Sequence, residues 1–245
     1  MKGKEMRLFF AIEFNEELKD YLFSIQKQVR QYCIGGNFTS KDNFHLTLRF
    51  IGEQSQQQAE LLKSAMKATA TSLESSTEKS GARYLLNNKE KHIDTFSAVN
   101  TDDGISQRGA KLFEGEEIHE STSISSGGAC KPGFELRLSK IGKFDRGNKK
   151  ILWVGLQRSQ QLQALHNKLE TNLFKVGYNK EERGYNPHIT LAREVRIEAF
   201  DQLANEIKLN ETSIWVNAIS LMESKRINNK LCYVPIERVE FAGKK

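Results

Sequence analysis

The sequence predicts an α+β protein, and three observations indicate this fold class. Apolar and polar residues alternate with the period of a β-strand in several stretches from the start of the chain to its end. Amphipathic helical patterns, with apolar residues three or four positions apart, lie between those strands. The order strand, helix, strand, helix recurs in each half, and the strand between the two helices carries the string His-x-Thr-Leu in both. The two halves are therefore expected to be related units.

The first half is predicted to hold two strands and two helices. A strand over 7–14 leads into a helix with Asn15 at its N-cap. The strand with the first motif covers 44–51. Ser55 and a glutamine three residues later form a capping box that opens a second helix at about 56–73. The apolar positions expected to face the core in these two helices are Leu18, Leu22, Ile25, Val29, Leu61, Leu62, Ala65 and Met66.

The second half repeats this order and adds further strands. A helix over about 159–176, ended by Gly177, follows two strands and precedes the second motif. A shorter helix is expected near 198–208. The strands predicted in this half cover 135–144, 151–156, the second motif, 213–223 and 230–239.

A polar stretch at about 74–131 separates the halves. It is rich in Ser, Gly, Asn and acidic residues, and only short strands near 83–86 and 96–99 interrupt it. Such a composition buries too little apolar surface to offset the entropy of ordering, so a flexible insertion is expected. The stretch carries a net charge of −3, which leaves +9 on the rest of a chain of net charge +6. A basic body favours a phosphate-bearing partner.

The two motifs place matching side chains on one face of each strand. His45 and Thr47 alternate with apolar residues, so both are expected to point away from the core. His188 and Thr190 do the same in the second motif strand. A chance repeat of this string is improbable at average residue usage, which favours a functional pair of histidines.

These motifs and their flanks resemble the two-histidine (2H) phosphoesterase superfamily, in particular its RNA 2′,3′-cyclic phosphodiesterases, also called 2′-5′ RNA ligases. The segments that carry the resemblance are MRLFFAIEF (6–14), NFHLTLRFIGE (43–53), KILWVGL (150–156), NPHITLAR (186–193) and ISLMESK (219–225).

The resemblance implies one domain over 1–245, built of two pseudo-symmetric lobes of antiparallel sheet with outer helices around a central cleft. The long stretch at 74–131 departs from the family, whose members connect these points by a shorter segment. The resemblance also implies RNA with a cyclic phosphate end as the substrate, a 2′-phosphate product, reversible 2′-5′ ligation and a part in tRNA processing.

Two imidazoles in one cleft suit acid–base chemistry, because a free histidine titrates near neutral pH. One takes a proton from the attacking water while the other protonates the departing ribose oxygen, so no metal or cofactor is required. We expect His45 to be the acid and His188 the base. Thr47 and Thr190 are expected to donate hydrogen bonds to the phosphate oxygens.

Three further residues are predicted to contact phosphate or RNA. Arg49 keeps the strand parity of His45 and is expected in the same cleft. Arg193 is out of phase and needs a bulge or a strand end to reach it, but the resemblance implies that it does. Tyr185, in a polar stretch before the second motif, is the predicted base-stacking residue. We expect a structural part for His166, and core positions for the aromatics Phe44, Phe50, Trp153 and Trp215.

Two other functions remain open at this point. The same pair of histidines could act on small cyclic nucleotides or 2′-5′ oligoadenylates, or the cleft could bind RNA or a nucleotide without catalysis. No apolar run has the length of a membrane span, and the first residues enter a strand without a signal-peptide pattern. Three cysteines without metal-ligand spacing indicate reduced thiols. We therefore expect a location in the cytoplasm or nucleus and no metal site. We also expect a monomer.

Overall fold

A computed structural model describes residues 5–71 and 132–242. The predicted insertion at 74–131, with its short strands near 83–86 and 96–99, lies outside the described residues. The described elements are β1 (Met6–Glu13), α1 (Glu16–Arg30), β2 (Asn37–Phe38), a 3-10 turn (Lys41–Asn43), β3 (His45–Gln54), α2 (Gln56–Thr71), β4 (Phe134–Arg146), β5 (Lys149–Leu156), α3 (Gln160–Lys175), β6 (His188–Val195), α4 (Phe200–Glu206), β7 (Ser213–Val216), β8 (Ala218–Ile227) and β9 (Lys230–Glu240).

The strands form two antiparallel sheets. The four-stranded sheet has the order β3-β1-β8-β9, and the five-stranded sheet has the order β2-β6-β5-β4-β7. Each sheet therefore contains one motif strand, β3 or β6. This arrangement confirms the α+β class with two lobes of antiparallel sheet.

The first two helices begin as the sequence predicts. The side chain of Asn15 accepts a hydrogen bond from the Leu18 amide at the start of α1. The Ser55 amide donates to the Gln58 side chain, while the Gln58 amide donates to Ser55 Oγ, which completes the capping box of α2. Leu61 was expected in the core, but 48% of it is exposed because it lies beside the buried stripe of α2.

Helix α3 ends in a Schellman motif. The Tyr178 amide donates to the Leu173 carbonyl at 3.0 Å, and the Gly177 amide donates to the Phe174 carbonyl at 3.2 Å. Gly177 has a φ of +94°, a conformation that suits glycine because it has no Cβ. The predicted end of the helix is confirmed, with Val176 as the cap residue and Gly177 just beyond it.

The segment 213–223 was expected to be one strand, and this is wrong. It divides at Asn217: β7 pairs with β4 in the five-stranded sheet, whereas β8 pairs with β1 and β9 in the four-stranded sheet. No glycine or proline marks the break, so the local pattern reads as continuous. The chain changes sheets here, and β8 begins with six consecutive buried residues.

A single apolar cluster joins residues of both sheets and of the helices into one core. A second, small cluster lies on the other face of the four-stranded sheet and contains Phe9, Ala11 and Met222, with Tyr233 packed against them. Both sheets belong to one compact unit of the chain. Among the described helices, none is long and apolar enough to cross a membrane.

Candidate active site

The first His-x-Thr-Leu string bends its strand at the leucine. In β3, Thr47 lies opposite Ala11 of β1. Arg49 lies opposite Phe10, the preceding residue of β1, so Leu48 is the extra residue of a bulge. The alternation of side chains is therefore reset after Leu48.

The second string bends at the same place. In β6, Thr190 lies opposite Trp153 of β5, and Ala192 lies opposite Leu152. Leu191 is then the extra residue, as Leu48 is in the first motif. Both bulged leucines are buried, so each leucine stays in the core. The alternation resumes one residue later, and the fifth residue after each histidine therefore lies on the same face of the strand as that histidine.

The ring of His45 is held by one hydrogen bond on each nitrogen. Its Nδ1 lies 2.7 Å from the backbone carbonyl oxygen of Asn43, and its Nε2 lies 3.0 Å from Thr47 Oγ1. A carbonyl only accepts, so Nδ1 carries the proton and donates it there. In neutral His45, Nε2 therefore accepts from the threonine hydroxyl.

His188 makes the same hydrogen bond at Nδ1. Its Nδ1 lies 2.8 Å from the backbone carbonyl oxygen of Asn186, which is again the residue two positions before the histidine. Nδ1 is the donor here as well, which leaves Nε2 as the nitrogen available to a substrate. The two halves thus share an Asn-x-His-x-Thr-Leu pattern in which the asparagine carbonyl sets the tautomer.

Aromatic rings flank each imidazole. The ring centroids of Phe9 and Tyr233 each lie 5.0 Å from that of His45. His188 has Phe144 at 5.0 Å and Trp153 at 6.1 Å. These rings exclude water from one side of each imidazole and restrict its orientation.

Burial favours the neutral form of both histidines. Loss of solvent lowers the pKa of His45 to about 4, and the positive charges of Arg193 and His188 act in the same direction. Burial also lowers the pKa of His188, assisted by Arg193. His45 is therefore neutral at pH 7.

Asn43 joins the two edge strands of the four-stranded sheet. Its side-chain amide donates to the Leu231 carbonyl at 2.8 Å, and its side-chain oxygen accepts from the Tyr233 amide at 3.0 Å. The turn before β3 therefore reaches β9, although these strands lie at opposite edges of the sheet. The sheet must be strongly curved, and its concave face carries His45.

Both histidines line one cleft of about 760 Å³. Four of its lining residues are cations and, among the described residues, none of its lining side chains is a carboxylate. Such a site favours a phosphate-bearing ligand. The lining residues are Arg7, Phe9, His45, Thr47, Phe50, His188, Arg193, Ser224, Lys225, Arg226, Leu231 and Tyr233.

Comparison with known proteins identifies the family. The profile described as "LigT like Phosphoesterase" matches residues 12–80, and that of the "2'-5' RNA ligase superfamily" matches residues 107–228. A Thermotoga maritima protein named RNA 2′,3′-cyclic phosphodiesterase is 21% identical over 240 residues, with 97% of each chain covered. The chain belongs to the two-histidine phosphoesterase family.

Solved structures share the fold of this two-histidine phosphoesterase. The crystal structure of E. coli LigT complexed with 3′-AMP matches with a TM-score of 0.59 at 21% identity, covering 97% of this chain and 99% of that one. A Thermus thermophilus protein matches with a TM-score of 0.57 at 16% identity, covering 98% and 100%. Because both matches span nearly the whole of each chain, they support the bilobal fold.

In the phosphoesterase, Arg193 reaches the cleft through a bulge, which is one of the two ways expected from the sequence. The bulge at Leu191 returns Arg193 to the face of His188, and the side chain lines the cleft. Its Nη2 lies 3.4 Å from Thr190 Oγ1 and donates to it. The guanidinium and the threonine hydroxyl therefore lie side by side next to His188.

The parity argument for Arg49 is wrong, because the bulge at Leu48 turns its side chain away from His45. Its guanidinium pairs with Glu170 at 3.5 Å and Glu181 at 3.2 Å, and donates to the Asn179 carbonyl at 2.9 Å. Both carboxylates come from the other half of the chain. Arg49 thus links β3 to α3 and to the segment before the second motif.

Tyr185 does not present a ring for base stacking. One face of it stacks on His166, with the ring centroids 4.0 Å apart and the planes 8° from parallel. Its hydroxyl donates to the Thr47 carbonyl at 3.3 Å, and burial raises its pKa. Tyr185 therefore connects the two motif strands, and His166 occupies the structural position expected of it.

Two aromatic residues assigned to the core are instead exposed, Phe50 at 47% and Trp215 at 51%. The bulge at Leu48 that turns Arg49 inward turns Phe50 into the cleft. Phe44 is buried as expected.

Several further residues line or support the site. Asn43 and Asn186 could have been found, because an asparagine stands two positions before each histidine. Arg7, Arg226 and Tyr233 carry no such local signal. They reach the cleft only through the pairing of β1, β8 and β9.

Proposed function

We propose that this phosphoesterase hydrolyses the 2′,3′-cyclic phosphate ends of RNA to 2′-phosphomonoesters without a metal ion. One observation carries the proposal: two imidazoles with matching Nδ1 hydrogen bonds share a single cleft rich in cations. The name of the Thermotoga maritima relative and the 3′-AMP complex of E. coli LigT support a nucleotide substrate of this kind.

The reaction needs one proton acceptor and one proton donor. Nε2 of one histidine takes a proton from water as the water oxygen forms a new bond to phosphorus. Nε2 of the other histidine gives its proton to the 3′ oxygen as the bond from phosphorus to that oxygen breaks. The products are a 3′ hydroxyl and a 2′-phosphomonoester, and proton exchange with solvent restores the pair. The same displacement with a 5′ hydroxyl in place of water would form a bond from the 5′ oxygen to phosphorus and break the bond to the 3′ oxygen, which leaves a 2′-5′ linkage and a 3′ hydroxyl.

The neighbouring polar groups would stabilise the developing charge. Thr47 and Thr190 can donate hydroxyl hydrogen bonds to the non-bridging oxygens of phosphorus, and Arg193 beside Thr190 adds a positive charge. Burial lowers the pKa of both histidines, and the negative charge of a bound phosphate would raise it again. Binding of the substrate would thereby favour the protonated form of the acid.

The test uses a cyclic-phosphate oligonucleotide assayed in EDTA. His45→Gln and His188→Gln should each lower kcat by at least about 100-fold, since general acid or base catalysis contributes that much. His92→Gln, which changes a histidine of the insertion, serves as the matched control and should keep full activity. Retained activity in either cleft variant, or loss of activity in EDTA, would contradict the proposal.

A second substrate decides which histidine is the acid. In a cyclic phosphate with sulfur in place of the 3′ bridging oxygen, the leaving thiolate needs no proton. The variant that lacks the acid should therefore regain activity on this substrate, and the variant that lacks the base should not. We assign the acid to His45 as the sequence argument does. The negative charge of the bound phosphate must raise the pKa of His45, which burial lowers to about 4, for His45 to hold the proton that it donates.

The two alternatives differ in measurable ways. An enzyme for small cyclic nucleotides or 2′-5′ oligoadenylates would prefer those to RNA ends. A module that only binds RNA or a nucleotide would bind without turnover. A bell-shaped pH–rate profile on cyclic-phosphate RNA would exclude the binding module.

A further inference from the structure

Phe50 is an exposed aromatic residue on the wall of the cleft. It lies opposite Phe9 in the pairing of β3 with β1, so the two side chains share the cleft face. Phe9 is buried and contacts His45, whereas 47% of Phe50 is exposed. Phe50 therefore offers an exposed ring surface beside the buried contact of Phe9 with the imidazole.

Arg7 packs on this ring. Its guanidinium carbon lies 5.1 Å from the centroid of Phe50, which is a cation–π contact. Arg7 precedes Phe9 by two residues in β1, so it shares the same face and lines the same cleft. An exposed phenyl ring with an arginine beside it suits a nucleobase and its phosphate.

The positive charge of the cleft exceeds the single negative charge of one cyclic phosphate. Within the described part of the chain, Arg7, Arg193 and Arg226 have no carboxylate partner, whereas Lys225 pairs with Glu223 at 2.7 Å. A cyclic phosphate carries one negative charge, and Arg193 already lies beside the second motif. Arg7 and Arg226 remain for a second phosphate group.

We propose that Phe50 and Arg7 form a subsite for the nucleotide that precedes the cyclic end of the RNA. Its base stacks on the Phe50–Arg7 pair, and Arg7 and Arg226 contact the phosphate that joins it to the terminal nucleotide. This inference rests on the proposed function and extends it. The enzyme then prefers chains of at least two nucleotides to a single cyclic nucleotide.

The test compares kcat/KM on a dinucleotide with a 2′,3′-cyclic end and on the matching cyclic mononucleotide. The parent should favour the dinucleotide. Phe50→Ala should lose about tenfold on the dinucleotide, equivalent to about 1.4 kcal/mol, and change little on the mononucleotide. Arg7→Gln should lower the slope of log kcat/KM against log salt for the dinucleotide by about 0.7.

Two control variants lie outside the cleft lining. Phe174→Ala removes an exposed ring of α3, and Arg146→Gln removes an exposed charge at the end of β4. Neither should alter the ratio between the two substrates. Equal loss on both substrates in Phe50→Ala, or a parent that shows no preference, would overturn the subsite. The proposed function would still stand in that case, because turnover of the dinucleotide by the parent, and its loss in His45→Gln and His188→Gln, test it separately.

Discussion

At the scale of single residues, the two histidines are held alike but differ in environment. Each donates Nδ1–H to the carbonyl of an asparagine two positions earlier. Nε2 of His45 also contacts its threonine, and burial lowers the pKa of His45 to about 4. In the second motif, the threonine instead accepts from Arg193. The repeated motif thus provides two groups of one type in unequal surroundings, which suits unequal roles.

The low pKa of His45 predicts a dependence of stability on pH. Since the pKa lies near 6.5 in the unfolded chain and near 4 in the folded one, the unfolded state binds the proton more tightly. The free energy of unfolding should therefore fall as pH drops from about 6.5 to about 4, by about 3 kcal/mol in total from this group. His45→Gln removes this contribution.

Urea denaturation across this pH range measures the effect. The curve of unfolding free energy against pH should be steeper for the parent than for His45→Gln. Parallel curves would show that His45 titrates equally in both states. Above pH 7 the histidine contributes no slope in either state, which makes that range the internal control.

At the scale of elements, the bulges determine which side chains reach the cleft. Each bulge places two consecutive residues, Leu48 and Arg49 or Leu191 and Ala192, on the side away from the histidine. The next residue then returns to the cleft face, Phe50 in one strand and Arg193 in the other. The period-2 rule therefore gives correct faces up to the leucine of each motif and wrong ones after it.

The bulge of β6 has a buried partner in α1. The Gln26 side-chain amide donates to the Leu191 carbonyl at 2.8 Å and to the Thr39 carbonyl at 2.7 Å. Gln26→Leu keeps the volume but leaves these carbonyls without that donor, so it should lower the free energy of unfolding by about 2 kcal/mol. It should also raise KM, because the bulge positions Arg193.

Gln28→Leu is the matched control, since Gln28 lies two residues further along α1 and is exposed. Chemical denaturation should show little change for Gln28→Leu, and its KM should equal that of the parent. Equal stability of the two variants would mean that the Gln26 amide does not support the bulge.

At the scale of the whole molecule, β3 of one sheet is tied to the segment that precedes the motif of the other. Tyr178 donates its hydroxyl proton to the Gln54 side chain at 2.5 Å, and Tyr185 donates to the Thr47 carbonyl. Between these contacts, Arg49 pairs with Glu170 and Glu181. Glu170 also accepts from the Glu181 amide at 2.9 Å. We infer that these links hold the two histidines at a constant separation.

Removal of Arg49 should therefore affect stability and kcat together. Arg49→Met leaves the buried Glu170 carboxylate without its cation, which should cost about 3 kcal/mol of unfolding free energy. The double variant Arg49→Met/Glu170→Gln removes the unpaired charge and keeps the acceptor for the Glu181 amide. It should recover most of the stability.

Denaturant unfolding and steady-state kinetics of both variants provide the test. The single variant should lose kcat more than KM, because a looser link alters the spacing of the histidines rather than the phosphate contacts. An Arg49→Met protein with parental stability would show that the ion pairs carry no net stability.

Local sequence chemistry was enough to predict the fold class, the helices with their caps, and the two matched motifs. Asn15 and the pair Ser55 and Gln58 satisfy the first amides of their helices, and period 2 places each histidine beside its threonine. Local patterns are sufficient wherever the interacting groups lie within a few residues of one another.

The surroundings of the histidines, in contrast, depend on contacts between distant parts of the chain. Bulges at Leu48 and Leu191 exchanged the expected places of Arg49 and Phe50 and brought Arg193 into the cleft. A bulge depends on the partner strand and on carbonyl contacts from distant residues such as Gln26, which no local pattern contains. For the same reason, the divided strand at Asn217 and the cations Arg7 and Arg226 became visible only once the strands were paired.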